Sequence, residues 1–260
     1  MNLIENIYDT YMQAISEKRK LSNCYFNSKD FSCWYDKREI IAYGDSENLI
    51  LSVPEVGYRK IYFLADNWKW EKEISSLDLG KGQKAIEIIG REELGEYDLS
   101  KRIKCKKILN YVRLRMTKAS ELDMTLEKID YCRKEDISRL KNLIEETFDP
   151  VGAYLPANEE LMFLIENNAI ICIRNTDEEV VGFLIFEDKA KTTYVRMVCI
   201  CQKYRGQGMG KRLLLTYLNM HKNFKNFTLW CRTDNETALK LYTDVGGYSY
   251  ENFYNYVFVF

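Results

Sequence analysis

The sequence has little histidine, little net charge and no long apolar run, and each shortage excludes a class of protein. A single histidine, His221, disfavours catalysis by histidine and a Cys/His zinc site. The 38 basic residues nearly balance the 39 acidic ones, so no overall field favours nucleic acid or a membrane surface. No apolar run approaches about 18 residues and the N-terminus lacks a basic-then-apolar pattern, so neither a membrane span nor a secretion signal is expected.

The eight cysteines show no Cys-x-x-Cys spacing. Free thiols in a reducing cytosol are their simplest interpretation, which predicts a cytoplasmic protein with no metal. His221 stands near the predicted end of a helix, where a solvent-facing or dipole-favoured role is the expectation. Oligomeric state stays open between a monomer and a homodimer.

Hydrophobic spacing divides the chain into two halves with a polar, aperiodic boundary at residues 117–124. We expect domains at residues 1–118 and 125–260. The first half predicts a helix over residues 3–20 and another over 67–77. It also predicts five strands, the first three forming an antiparallel meander: Glu39–Tyr43, Asn48–Val53, Tyr58–Leu64, Ala85–Ile89 and Ile108–Met116.

The second half alternates strands and helices, so the fold class is α+β, a mixed α/β arrangement. A helix opened by Asp136 ends before Pro150, a second covers Glu159–Glu166, and Asn235 is suited to cap a later one. The predicted strands are Leu126–Cys132, Ala169–Arg174, Val180–Phe186, Thr192–Ile200, Asn226–Arg232 and Tyr248–Phe260.

The most informative stretch follows the strand Thr192–Ile200, where Arg205, Gly206, Gly208 and Gly210 precede a helix. Glycines at a helix N-terminus leave backbone N–H groups uncovered, and these groups with the helix dipole favour an anion such as phosphate. The spacing fits neither a P-loop nor a dinucleotide fingerprint, since both need glycines where the sequence has other residues. A glycine-rich turn without a ligand is the alternative.

Arg205-x-x-Gly208-x-Gly210 resembles the pyrophosphate loop of the GNAT N-acetyltransferases, and Asn235…Ala238…Tyr242…Gly246 resembles a second segment of that family. The resemblance covers about residues 125–260 and implies the GNAT fold. Gly247 departs from it, because the family usually has Phe there. The first half resembles a degenerate GNAT domain without a phosphate loop, or else is an unrelated α+β domain. In either case we expect a structural role or one that shapes the acceptor cleft.

The resemblance implies an acyltransferase that uses acetyl-CoA as donor and an unidentified primary amine as acceptor, by direct attack in a ternary complex. Tyr242 is then the group that protonates the leaving thiolate, unless it only packs in the core. Asn235 contacts the pantetheine arm, unless it only caps its helix. The residues that the resemblance assigns to CoA are Val198, Cys199, Ile200, Arg205, Gly206, Gln207, Gly208, Met209, Gly210, Lys211 and Asn235.

Two questions remain open at this level. Glu187, Glu146 and Asp149 are carboxylates near the expected acceptor site, but none is assigned as the base. Cys199, Cys201 and Cys231 are better explained by packing than by nucleophilic catalysis, given their apolar flanks. A GNAT module that binds CoA without turnover, with a regulatory or partner-binding first half, is the alternative to an enzyme.

Overall fold

The computed structural model describes residues 21–23, 40–44, 48–65, 74, 76–91, 94–117, 130–245 and 247–260. The helices predicted over residues 3–20 and 67–77, the boundary at 117–124 and Gly246 lie wholly or largely outside the described residues. Within the described part, no helix combines the length and apolarity that a membrane crossing requires.

The chain forms two compact units. Unit 1 contains residues 1–109, 150–154 and 255–260, and unit 2 contains residues 110–149 and 155–254. The segments 150–154 and 255–260 therefore pack with the N-terminal part, although the sequence placed them in the second half. The division into domains at residues 117–124 stays a prediction.

Unit 1 has a sheet in the order β2-β3-β4-β5 followed by the C-terminal end of β12, with β1 beside β4. Antiparallel pairing of β2, β3 and β4 confirms the predicted meander, while β4 and β5 are parallel. The strands are β1 (Leu21–Ser22), β2 (Ile41–Gly44), β3 (Leu49–Glu55), β4 (Tyr58–Ala65) and β5 (Lys84–Gly90). Short 3₁₀ turns follow at Gly95–Tyr97 and Leu99–Lys101.

A buried charge cluster lies in unit 1. The Lys60 ammonium donates to Glu87 Oε2 at 2.5 Å and to the Tyr154 hydroxyl at 2.5 Å, and that hydroxyl donates to the same carboxylate oxygen. Lys60 is 5% exposed and Glu87 1% exposed. Burial alone would lower the pKa of Lys60, but the Glu87 charge and the hydrogen bonds outweigh it and raise the pKa. Lys60 is therefore protonated at neutral pH, and its buried ammonium depends on the hydrogen bonds to Glu87 and Tyr154.

Unit 2 has a sheet in the order β12-β6-β11-β10-β9-β8-β7. Its strands are β6 (Lys107–Thr117, with residues 107–109 in unit 1), β7 (Asp130–Tyr131), β8 (Ile170–Arg174), β9 (Val180–Lys189), β10 (Thr192–Ile200), β11 (Asn226–Arg232) and β12 (Ser249–Val259, with residues 255–259 in unit 1). Its helices are α1 (Ile137–Thr147), α2 (Asn158–Glu166), α3 (Met209–Met220) and α4 (Glu236–Lys240). The mixed α/β class and the element order agree with the sequence prediction.

The two faces of this sheet carry separate cores. Helices α1 and α2 cover one face, with Leu140, Leu161 and Met197 in its core. Helix α3 and the turn after α4 cover the other face, where Leu214, Tyr217 and Leu229 are buried. Side chains alternate along a regular strand, so neighbouring residues of one strand join the cores on opposite faces of the sheet.

Candidate active site

The glycine loop joins β10 to α3. After the 3₁₀ turn Gln202–Tyr204, Gly206 and Gly208 adopt φ values of 77° and 76°. A Cβ at either glycine would meet nothing within 4 Å, so the left-handed backbone, rather than lack of space, favours glycine here. Gly208 is the N-cap residue of α3, as the sequence predicted for a helix beginning at this loop.

The N-terminus of α3 has backbone N–H groups without a helical acceptor. The first N–H with a helical partner is that of Arg212, which donates to the Gly208 carbonyl at 3.0 Å. The N–H groups of Met209, Gly210 and Lys211 precede it and have no helical partner. Gln207, Gly208 and Lys211 are exposed. The arrangement is suited to hold an anion.

Two cations border the loop. Arg205 is exposed, and its Nε donates to the Ile200 carbonyl at 3.0 Å, which fixes the side chain beside the end of β10. Lys211 stands in the first turn of α3. Both add positive charge next to the uncovered N–H groups.

Strand β10 separates from β11 halfway along its length. Thr192–Val195 pairs in parallel with Asn226–Leu229, and the register stops there. Beyond this point β10 continues through Val198, Cys199 and Ile200, paired only with β9 among the described strands. The edge of β10 that faces the opening thus presents backbone polar groups to a ligand, next to the glycine loop.

A β-bulge marks the separation. Val195 pairs with Phe186 and Met197 with Ile185, so Arg196 is the extra residue. The bulge changes the face that later residues occupy, because Val195 joins the core under α3 while Met197 and Cys199 join the core under α1 and α2. Nothing in the apolar alternation of the sequence reveals this extra residue.

Gly182 is a site residue that the sequence reading missed. A Cβ at this position on β9 would lie 2.5 Å from Ile200 Cδ1 and 3.2 Å from the Cys199 carbonyl oxygen. Gly182 is the register partner of Ile200 in the β9–β10 pair, so glycine leaves room for the Ile200 side chain at the part of β10 that has left β11. An isolated glycine in a strand pattern was the available signal.

The predicted second segment folds as a capped helix with a wider final turn. The Asn235 side chain accepts from the Ala238 N–H at 3.1 Å, which confirms its capping role. Helix α4 ends at Lys240, and Leu241–Val245 forms a π-helical turn. π-helical turns are rare in proteins, and many of those that occur lie at functional sites.

Tyr242 lies in this π turn and is 7% exposed. Its ring contacts Tyr248 edge-on, with 6.1 Å between centroids. Among the described residues, none forms a hydrogen bond with its hydroxyl. Burial, with a smaller contribution from Cys231, raises the pKa of the phenol above its usual value.

The three cysteines near the site, Cys199, Cys201 and Cys231, differ in how far they are buried. Cys199 and Cys231 are buried, and Cys201 is partly buried. Burial raises the pKa of Cys231 to about 12 and raises that of Cys199, whose thiol lies 3.2 Å from the Thr147 hydroxyl. A thiol with a raised pKa is a poor nucleophile, which agrees with the predicted packing role.

The carboxylates expected near the acceptor differ in their partners. Glu187 lies 3.1 Å from Arg196 and 3.2 Å from Lys189. Arg196 also binds Glu160 of α2 at 2.6 Å, a residue that the sequence did not single out. Glu146 is exposed on α1 and Asp149 is partly buried. Arg196 at the bulge therefore links β9 to α2.

Of the two roles predicted for His221, the solvent-facing one is wrong, while its position at the helix end fits the dipole-favoured one. It is the C-cap residue of α3, as expected, but it is 5% exposed. Its Nδ1 lies 2.8 Å from the Tyr217 carbonyl oxygen and its Nε2 lies 3.3 Å from Asp188. The ring packs edge-on against Phe186. Aromatic packing at the helix end, which the sequence spacing does not show, buries it.

No arrangement of three or more His, Cys, Asp or Glu side chains suited to a metal ion occurs in the described residues.

Part of the chain matches a known protein family. Residues 137–247 match the acetyltransferase (GNAT) family. No curated protein matches the sequence. A GCN5-related N-acetyltransferase from Sphaerobacter thermophilus has a similar structure, with a TM-score of 0.56 and 13% identity, over 87% of this chain and 84% of its own.

Two further solved structures resemble the chain. A GNAT-family acetyltransferase from Colwellia psychrerythraea has a TM-score of 0.56 and 12% identity, and the match covers 100% of this chain and 98% of that protein. A tandem GNAT protein from the clavulanic acid biosynthesis pathway has a TM-score of 0.53 and 8% identity, over 82% of this chain and 78% of its own. At these identities the likeness shows the fold.

Proposed function

We propose that this chain, in which residues 137–247 form a domain of the GNAT acetyltransferase family, transfers an acetyl group from acetyl-CoA to a primary amine. Family membership supports acyl transfer in general. The observation that carries the specific proposal is the conjunction of uncovered N–H groups at the start of α3 with the strand edge that opens beside them.

The donor's pyrophosphate is assigned to the glycine loop. The N–H groups of residues 206–211 donate to its oxygens, and Arg205 and Lys211 balance its charge. Gly208 admits the phosphate because no side chain occupies the space above it. Gln207 and Met209 contribute through their backbone.

The pantetheine arm is assigned to the opening between β10 and β11. Its amides replace the strand partner that β10 lacks there, by pairing with the main chain of Val198 and Ile200, the residues on either side of Cys199. Asn235 stands at the start of α4. Its side-chain oxygen is engaged in capping, so its amide nitrogen is the group left to contact the arm.

Reaction within a ternary complex requires the amine to attack the thioester directly, with Tyr242 donating a hydrogen bond to the departing sulfur. The high pKa of this phenol keeps it protonated at neutral pH, so it is always a donor. A covalent enzyme intermediate is not needed, which agrees with the buried cysteines. We assign no general base.

The remaining parts of the proposal concern the whole chain. The N-terminal domain, residues 1–118, is proposed as a degenerate GNAT-like domain, supported by the fold likeness to a tandem GNAT protein. The six described cysteines are free, which supports a reducing, cytoplasmic location. Neither nucleic acid nor a membrane is proposed as a partner.

The alternative is a GNAT module that binds CoA and does not turn it over. The low exposure of Tyr242 favours it, because a core tyrosine can have this environment without contacting substrate. Both functions require the same glycine loop, so CoA binding alone does not separate them.

The test measures CoA binding by calorimetry and release of free CoA by chromatography, with acetyl-CoA and a panel of primary amines. Amine-dependent release, with the acetylated amine detected by mass spectrometry, supports the enzyme. Binding of CoA without release for any amine supports the module. Absence of CoA binding rejects both.

A further inference from the structure

The bulge on β10 decides which backbone groups face the opening beside β11. The Cys201 N–H donates to the Val181 carbonyl at 2.8 Å, so the backbone of Cys201 is directed at β9. Since backbone groups of successive residues point to opposite edges of a strand, those of Val198 and Ile200 face the opening. The Ile200 carbonyl agrees with this, because it accepts from the Arg205 side chain at 3.0 Å.

The extra residue of the bulge, Arg196, sets this alternation. Strand β10 gains one residue relative to β9 between Val195 and Met197. Without the extra residue, every later residue of β10 would move by one position along β9 and turn to the opposite edge and face. The main chain of Val198 and Ile200 would then bond to β9, and their neighbours would line the opening. The proposed strand edge therefore requires Arg196 to stay outside the ladder.

Two carboxylates hold the Arg196 side chain. Its Nη1 lies 2.6 Å from Glu160 of α2 and 3.1 Å from Glu187 of β9. Lys189, at the end of β9, lies 3.2 Å from Glu187. The Arg196 side chain is 20% exposed, so most of it is withdrawn from water. We name Arg196, Glu160, Glu187 and Lys189 the bulge clamp.

The charges of the bulge clamp balance, since two cations face two carboxylates. The clamp thus carries no net charge that would attract an ionic ligand, and a role in binding such a ligand is not favoured. Its two carboxylates come from different elements, α2 and β9, and both bind the one residue that lies outside the register. This arrangement fixes the side chain of the extra residue and, through it, the local backbone.

We propose that Arg196 is a positioning residue for the acyl donor. The bulge clamp holds the extra residue outside the ladder, so that the backbone of Val198 and Ile200 faces the pantetheine arm. This inference rests on the proposed function, because the arm is assigned there to the same strand edge. When the clamp is lost, other arrangements of the bulge compete, and the apparent affinity for the donor falls in proportion to the fraction of molecules that keep the open arrangement.

The test compares two ligands that share the nucleotide of CoA. Calorimetry on the full chain measures CoA and adenosine 3′-phosphate 5′-diphosphate, which contains the pyrophosphate and lacks the pantetheine arm. The ratio of the two affinities reports the arm alone, and retained nucleotide binding shows that a variant is folded. Arg196→Met should weaken CoA binding about 3- to 10-fold, because two partly exposed ion pairs are lost, and leave the affinity for the nucleotide unchanged.

Further variants separate positioning from direct contact with the arm. The double variant Glu160→Gln with Glu187→Gln keeps the Arg196 side chain but removes what holds it, so it should lower the same ratio. Lys134→Met is the matched control, because it removes a different ion pair of α2, the 2.6 Å contact with Glu166, and should leave the ratio unchanged.

Three outcomes overturn the inference. An unchanged ratio in Arg196→Met, or an equal loss of affinity for both ligands, shows that the clamp does not act on the arm. A loss in Arg196→Met that the double carboxylate variant does not share indicates that Arg196 contacts the arm directly. In each of these cases CoA still binds to the unsubstituted chain, so the proposed function stands. Failure of the unsubstituted chain to bind either ligand rejects that function and the inference with it.

Discussion

Gly208→Asp tests the phosphate assignment most directly. The residue is the N-cap of α3 at φ 76°, and a Cβ there meets nothing within 4 Å. The substitution therefore causes no clash in the free protein. Its carboxylate would lie beside the N–H groups of Met209, Gly210 and Lys211, in the space assigned to the pyrophosphate.

The magnitude follows from charge. At about 6 Å and an effective dielectric constant between about 20 and 80, a pair of unit charges repels by roughly 0.7 to 3 kcal/mol. A pyrophosphate with about two charges is then repelled by about 1.4 to 6 kcal/mol and should bind about 10- to 10⁴-fold more weakly, since each 1.4 kcal/mol is about tenfold. The left-handed backbone costs a non-glycine residue about 1–2 kcal/mol of stability, which Asn and Asp tolerate best.

Calorimetric titration with CoA measures the effect, and Gly208→Asn is the matched control. Asn has the shape of Asp without its charge, so the ratio of the two affinities isolates electrostatics from strain. That ratio should fall as salt rises, because screening weakens the repulsion. Equal CoA affinity of the Asp and Asn variants would refute the phosphate assignment.

Three further predictions concern other parts of the chain. Tyr242→Phe should lower kcat by roughly 10²–10³-fold with CoA affinity unchanged, because it removes one donor to the leaving sulfur, and an unchanged kcat in the CoA-release assay would show that the residue only packs in the core. Lys60→Met should destabilise the protein by about 3–5 kcal/mol in urea unfolding, because Glu87 is left buried without its partner; adding Glu87→Gln should restore much of the loss, and no restoration would contradict the ion-pair account. Burial alone would raise the pKa of Asp136, but the hydrogen bonds and charge of Arg174 outweigh it and lower that pKa, so its contribution is present above pH 3.8 and is lost as pH falls through the lowered value. Asp136→Asn should therefore reduce stability at neutral pH, and the difference from the unsubstituted protein should shrink in acid; a difference that is constant with pH would contradict this assignment.

The sequence predicted the secondary structure of the second half closely. The strands Thr192–Ile200 and Asn226–Arg232 have the predicted bounds, and Asn235 caps its helix. These features depend on local signals, namely apolar alternation and a side chain that accepts from a nearby N–H. The positions of Gly206 and Gly208 in a left-handed backbone follow from the same kind of local rule.

The missed features depend on contacts between distant residues. The Arg196 bulge is defined only by the register of β10 against β9, and the close approach at Gly182 only by where Ile200 packs. His221 is buried by the aromatic rings of Phe186 and Phe224, and its polarity and position in the sequence do not reveal these contacts. The ion pair of Arg196 with Glu160 depends on how α2 packs against the sheet, which the sequence does not show.

The π turn and the burial of Tyr242 limit what that residue can do. A phenol with a usual pKa of about 10 is already a weaker acid than a thiol of about 8.5, and burial weakens it further. Complete proton transfer to a thiolate is therefore uphill within the apolar site. A hydrogen bond from the neutral phenol to the sulfur remains favourable, because it stabilises negative charge as the thioester breaks. If Tyr242 acts in catalysis, its contribution is thus stabilisation of the leaving sulfur, and the fall in kcat that ionisation of a tyrosine at its usual pKa of about 10 would cause should be absent.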